Sequence, residues 1–185
     1  VRVFNAGLAC PDWPLCFGRF IPDFHIQVYL EFLHRVLAGS LGLLVFFFGI
    51  YLVLNRTTQK LVKLLSIIAM MTVVAQIFIG GLTVLLLLKE GIVALHLFCA
   101  ILLFACLLLT YWELREEHIP TEFVGSPNWI KGMSYLVTVV IWLQMLMGGL
   151  VASHYAGLVC PDFPLCLGQW FPTLHGSIGL HVLHR

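Results

Sequence analysis

Four long apolar stretches, about residues 28–54, 64–88, 91–112 and 129–153, constrain this chain more than any other feature. Each exceeds the ~20 residues that a helix needs to cross a bilayer, and a fifth begins near residue 177. Only 10% of the residues are charged, against the roughly 25% usual in soluble domains. The mean hydropathy is +1.00. These values define an all-α integral membrane protein. A net charge of +1 without a basic cluster gives no footing for nucleic acid.

Residues 1–35 recur at 151–185 without a gap, and seventeen of the thirty-five positions are identical. Both copies hold Cys-Pro-Asp-x-Pro-Leu-Cys, at Cys10–Cys16 and Cys160–Cys166, and both end in Leu-His-Arg, at Leu33–Arg35 and Leu183–Arg185. A repeat of this length marks a duplicated structural unit. The copies differ most tellingly at Glu31, whose counterpart is His181. Residues 1–128 read as a first half and 129–185 as the start of a second. By the repeat, Val1 should follow a helix like the one ending at Gly148-Gly149-Leu150. With no initiator methionine and a fifth stretch of about two turns, the chain reads as a segment of a longer protein, with one helix before Val1 and more after Arg185.

Four crossings separate the two cysteine loops, which places them on one side of the membrane in a parallel repeat. The opposite side carries Arg56, Lys60, Lys63, Arg115 and Lys131, against Arg2, Arg19 and Lys89 on the cysteine side. The acidic run Glu113, Glu116 and Glu117 counts little in the positive-inside rule, which then puts the cysteine loops outside. In oxidising surroundings Cys-x5-Cys can close a small disulfide ring. Chain entropy gives such a ring of about seven residues roughly 2.4 kcal/mol. A structural staple and a redox-active pair both remain open readings, whereas zinc is disfavoured by this spacing with prolines inside. Cys99 and Cys106 lie within an apolar stretch and read as small apolar residues.

Ionisable groups inside membrane spans are costly and therefore functional candidates. Glu31, His34 and Arg35 lie in the first two turns of one helix, and His96 lies early in another that starts from the same side. The rise per residue puts both histidines roughly 5–10 Å below their helix starts. Two imidazoles at matching depth in a bundle suit bis-histidine heme; the alternative is a hydrogen-bonded packing histidine. Ala38, Gly39, Ser40 and Gly42 would admit a flat macrocycle or a neighbouring helix. Glu31 shares a face with His34 and is a candidate proton acceptor, proton donor or cation stabiliser; its alternative is an ion pair with Arg35. His25 and His175 read as surface or hydrogen-bonding residues, and His118 and His154 receive no role.

Cys10-Pro11-Asp12-Trp13-Pro14-Leu15-Cys16, then Glu31-Phe32-Leu33-His34-Arg35, then Ala94-Leu95-His96-Leu97, together resemble the heme A synthase family, and the likeness covers essentially the whole chain. The resemblance implies two similar four-helix bundles in parallel repeat, of which this chain covers the middle part. It implies oxidation of the C8 methyl of heme O to a formyl group by successive hydroxylation, yielding heme A. His34 and His96 would hold that heme, as substrate and product, and Glu31 would assist oxidation of the nearby methyl. His184 would be one ligand of a heme b in the second half, relaying electrons, with its other ligand on an eighth helix beyond Arg185. The cysteine pairs match the prokaryotic branch, with Cys10–Cys16 and Cys160–Cys166 as disulfides, in a multi-pass protein of the cell membrane. Heme O synthase and a membrane electron donor are the partners the resemblance suggests.

Three other classes compete with that reading. A b-type cytochrome would carry heme without modifying it. A quinone-linked thiol oxidase would use the cysteine pairs but leave His34, His96 and His184 unexplained. A transporter of parallel repeats would bind no chromophore. Gly80-Gly81 and Gly148-Gly149 invite close helix contacts, within the bundle or in a homo-oligomer.

Overall fold

The computed structural model describes residues 4, 6–116 and 127–185, with the side chain of Glu116 excluded. Arg2, Glu117 and His118 lie outside the described residues. The chain forms α1 (Ile26–Leu54), α2 (Lys60–Leu85), α3 (Glu90–Glu116), α4 (Asn128–Ser153) and α5 (Gly176–His184), with a 3-10 turn at Ala156–Leu158. It divides into two compact units, Val1–Ile119 and Pro120–Arg185. The first four helices are long and apolar enough to cross a membrane, with mean hydropathies of 2.4, 2.2, 2.9 and 2.0. A helix pairs its own backbone groups, which lipid cannot do.

Helix ends depart from the apolar runs for identifiable reasons. α2 starts at Lys60, four residues before the apolar run, because interfacial lysines do not interrupt a helix. It stops at Leu85 although the run continues to Leu88. Leu87 and Leu88 adopt φ of 51° and 57°, and Leu88 N–H returns to Thr83 C=O at 2.8 Å. The turn into α3 is thus built from leucines, and hydropathy cannot distinguish them from helix. α1 starts at Ile26, so His34 lies about 12 Å along it rather than 5–10 Å, and His96 about 9 Å along α3. At the other end of α1, Asn55 Oδ1 accepts from the Thr57 N–H at 3.1 Å and from its hydroxyl at 2.9 Å. That Asx turn closes the helix.

Within the first unit α2 packs against both α1 and α3. Val45 of α1, Leu65, Ala69 and Val73 of α2, and Cys106 of α3 form a buried cluster, with Leu102, Leu103 and Leu107 packed around it. Close approach of α1 and α2 depends on glycine. A Cβ at Gly49 would lie 2.8 Å from Met70 Cγ, and one at Gly42 would lie 3.3 Å from Val73 Cγ1. Among the four small residues near His34, Gly42 therefore serves helix packing, while Gly39 meets nothing within 4 Å. Cys106 is buried and Cys99 half-buried, both as free thiols. Exposed side chains such as Phe47, Phe78 and Phe104 suit a hydrocarbon solvent as apolar as they are. The hydroxyls of Ser66 and Thr72 donate to carbonyls one turn back, at 2.8 Å each. This satisfies polar groups that lipid would leave unpaired. In the second unit α5 packs against α4 and the 3-10 turn.

Candidate functional site

Each unit places a cystine loop over the start of a helix. Cys10 and Cys16 are disulfide-bonded, with Cα atoms 4.9 Å apart, and Cys160 and Cys166 likewise at 4.7 Å. Inside the rings Trp13–Pro14 and Phe163–Pro164 are cis. The chain then turns through two left-handed residues, Phe17 (φ 53°) and Gly18 (φ 68°), whose N–H groups both point at the Asp12 carboxylate, at 2.6 and 2.7 Å. The second loop repeats this with Leu167 and Gly168 donating to Asp162 at 2.8 and 2.7 Å. Hydrogen bonds to the charged form favour it. The Gly18 N–H foremost holds the Asp12 carboxyl below its ordinary value, and Gly168 does the same for Asp162.

The arginine after each site histidine ties loop to helix. Arg35 Nη1 donates to the carbonyls of Asp12 at 2.9 Å and Leu15 at 2.6 Å. Arg185 Nη1 donates to Asp162 at 2.9 Å and Leu165 at 2.8 Å, and its Nη2 to Cys160 at 3.0 Å. All four half-cystines are buried. Burial shields their sulfurs from attack by an external thiolate.

Glu31 completes the first clamp. It is 4% exposed, its Oε1 accepts from Arg35 Nη2 at 2.6 Å, and its Oε2 accepts from the Cys10 N–H at 2.9 Å. Both oxygens are engaged, so the carboxylate is an oriented partner of a guanidinium. His181, its counterpart, is also buried and grips its own loop through Nδ1 and the Ala156 carbonyl at 2.6 Å. The two residues differ in charge but share a loop-holding contact.

His34 emerges one turn beyond Glu31, exposed on the unit's surface, and His96 is half-buried on α3. The two histidines come from different helices of the first unit, α1 and α3. His184 occupies the matching place after the second loop, half-buried on α5. The Nδ1 atoms of His96 and His184 are buried and bond to no protein atom. A buried ring nitrogen uncommitted to the protein leaves each imidazole open to a bound group, so these two rings could hold a heme iron. Among the described residues no three His, Cys, Asp or Glu side chains gather as a metal site. A cleft of about 240 Å³ lies at the far end of the first unit, lined by Tyr51, Asn55, Gln59 and Glu113 among others, and neither histidine lines it. His25 and His175 are exposed where α1 and α5 begin. His154 Nδ1 lies 3.0 Å from the Leu150 carbonyl.

Sequence reasoning named Arg35 as a partner for Glu31 but missed its hold on the loop, and it missed the roles of two other sets of residues. Asp12 and Asp162 hold the loop tips, and Arg35 and Arg185 hold the loops, and all four were visible as identities in the repeat. Gln76 and Gln144 were not singled out. Gln76 Nε2 donates to the His96 carbonyl at 3.0 Å, and Gln144 Nε2 donates to the His184 carbonyl.

Fold and site define a class, the multi-span helical membrane proteins whose cystine loops cap helices bearing a histidine followed by an arginine, His34-Arg35 on α1 and His184-Arg185 at the end of α5. Within that class, the chain belongs to the cytochrome oxidase assembly protein family (COX15-CtaA), whose model matches residues 21–185. It is 32% identical over 184 residues to the heme A synthase of Halalkalibacterium halodurans, an alignment spanning 98% of this chain and 62% of that protein. It is 33% identical over 187 residues to the heme A synthase of Alkalihalophilus pseudofirmus, with the same coverage. The heme A synthase of Shewanella oneidensis is 32% identical over 194 residues, covering 94% of this chain and 57% of that protein. The chain thus spans about three fifths of the length of the curated relatives it matches.

Proposed function

We propose that this protein is a heme A synthase, a membrane oxidoreductase that converts the C8 methyl of heme O to a formyl group by successive hydroxylation. The observation that carries this reading is His34 one turn beyond the buried carboxylate of Glu31 on α1, with a second helix of the same unit, α3, carrying His96 whose buried Nδ1 has no partner among the described residues. In this reading the two imidazoles hold the substrate heme and fix its edge relative to α1. Glu31, clamped by Arg35 and the Cys10 N–H, presents a fixed negative charge close to the methyl under attack. A charge that does not need to reorient stabilises positive charge developing in the transition state at little reorganisation cost. With both oxygens occupied, Glu31 suits this electrostatic role better than proton transfer. His184 would be one ligand of a heme b in the second half, a group that would supply electron relay there.

The cystine loops act as staples on the outer side of a prokaryotic cell membrane, as the excess of Arg and Lys at the opposite helix ends suggests. Heme O, handed over by heme O synthase, and a membrane electron donor are the partners this reading invokes, the donor working together with dioxygen as oxidant, because taking a methyl to a formyl group removes electrons from the substrate. The occupied oxygens of Glu31 favour one second reading, a b-type cytochrome that does not alter its heme. Glu31→Ala separates the two. Extracted heme is analysed by mass in wild type and variant. Heme A synthase activity predicts hydroxylated and formylated heme in wild type, and heme O alone in a variant that still binds heme. Protoheme alone in wild type, or unchanged product in the variant, would remove the assignment.

A further inference from the structure

Two membrane helices carry the same short pattern in a frame unrelated to the loop repeat. α2 reads Gln76-Ile77-Phe78-Ile79-Gly80-Gly81-Leu82, and α4 reads Gln144-Met145-Leu146-Met147-Gly148-Gly149-Leu150. Glutamine and first glycine are four residues apart, so they share one helix face. In both helices that face meets a histidine of the following helix. The glutamine amide donates to the histidine's backbone carbonyl, Gln76 to His96 and Gln144 to His184. A helical carbonyl has a second lone pair for such a bond, so the helix need not open. The glycine leaves room for the ring itself. A Cβ at Gly80 would lie 3.3 Å from His96 Cε1, and one at Gly148 would lie 3.0 Å from His184 Cε1 and 3.4 Å from its Nε2.

Connection length does not explain the coincidence. Gln76 and His96 are 20 residues apart across a tight leucine turn, whereas Gln144 and His184 are 40 apart across an entire cystine loop. The same three-part contact forms over both connections. Beside it, the Nδ1 atoms of both histidines are buried without a partner, and so is Gln76 Oε1. The Gln76 amide therefore still offers an acceptor of the kind that an Nδ1–H needs once Nε2 is committed to iron.

We infer that Gln76 with Gly80, and Gln144 with Gly148, are positioning residues: each pair seats a heme-ligating imidazole by gripping its backbone and receiving its ring against bare helix. The inference rests on the proposed role of His96 and His184 as ligands. It predicts that the seat sets both how tightly heme is kept and how basic its ligand is.

The test uses the full-length protein purified in detergent with its heme, comparing Gln76→Leu, Gln76→Glu, Gly80→Ala and Gly80→Val. Gly132→Ala serves as a control, since a Cβ there meets nothing within 4 Å. Heme retention is read as the half-time of transfer to excess apomyoglobin, and ligand basicity as the midpoint potential of the band that His96→Ala removes. Loss of an outer partner typically costs about 10–100-fold in metal-site affinity. Gln76→Leu and Gly80→Val should shorten retention by about that factor, Gly80→Ala by less, and Gly132→Ala not at all. Gln76→Glu cannot donate to the His96 carbonyl and should shorten retention as Gln76→Leu does, but the two should shift the potential in opposite senses, up for Gln76→Leu and down for Gln76→Glu, because a carboxylate beside the ligand favours the oxidised iron. Wild-type retention and potential in Gln76→Leu and Gly80→Val would overturn the inference. So would potential shifts of the same sign in Gln76→Leu and Gln76→Glu, the signature of altered packing alone. An unchanged spectrum in His96→Ala would instead sink the ligand assignment itself.

Discussion

Removing Arg35 should release the first cystine loop from α1 and strand Glu31. Arg35→Met keeps the length and apolar bulk of the side chain but deletes the donors to Asp12 C=O, Leu15 C=O and Glu31 Oε1. The ion pair is well shielded, with side-chain exposures of 16% for Arg35 and 5% for Glu31. Breaking a pair buried to this degree costs about 3–5 kcal/mol, most of it the penalty of an uncompensated charge. Taking about 3 kcal/mol at 1.36 kcal/mol per decade, the open loop should be populated about a hundredfold more. Amide hydrogen exchange read by mass spectrometry on the detergent-solubilised protein reports this directly, since protection follows the local opening free energy. Peptides carrying the Cys10 amide should exchange about a hundredfold faster in Arg35→Met. Arg35→Lys should fall between, because an ammonium cannot reproduce the fork that spans carbonyls and carboxylate. Adding Glu31→Gln to Arg35→Met should recover part of the loss by removing the stranded charge. Exchange within threefold of wild type in Arg35→Met, or no recovery in the double variant, would refute this account of the clamp.

Two further outcomes are expected. Gly49→Ala forces a methyl to within 2.8 Å of Met70 Cγ and should destabilise the α1–α2 contact by about 1–3 kcal/mol in detergent unfolding, while Gly39→Ala, with open space around it, should be neutral. Asp12 is stabilised as the anion by Gly18 and Phe17, so its contribution is full above the ordinary value of 3.8 and is lost as pH falls through a lower folded value. The Gly18 amide proton resonance should therefore titrate below 3.8, and a midpoint at or above that value would contradict the bonding described.

Much of the fold was legible because lipid leaves a chain few options. A run of apolar residues long enough to span has to be helical, and α1 to α4 follow. Their ends were less legible, because Lys60 continues a helix at the interface and Leu87 and Leu88 leave one in an apolar run. The pair Glu31–Arg35 was readable from its four-residue spacing, and so was the closeness of Cys10 to Cys16. Single spacings could not show that Arg35 also reaches back over twenty residues to the loop carbonyls. That contact exists only once the cystine ring has folded over α1. The grip of Gln76 on His96 was hidden for a similar reason. It depends on which face α2 turns to α3, and its signature in α4 lies in a different register from the loop repeat.

The glycine pair in α2 has a consequence that reaches past this site. Successive helical residues point about 100° apart, and Gly80 accordingly meets His96, while a Cβ at Gly81 would lie 3.1 Å from the indole of Trp13. Two adjacent codons thus answer to unrelated demands, one from inside the bundle and one from the loop above it. Variation at residue 81 can be absorbed by a change at 13, and variation at 80 only by rearranging 96. Neighbours in the chain would drift as members of separate lineages of change.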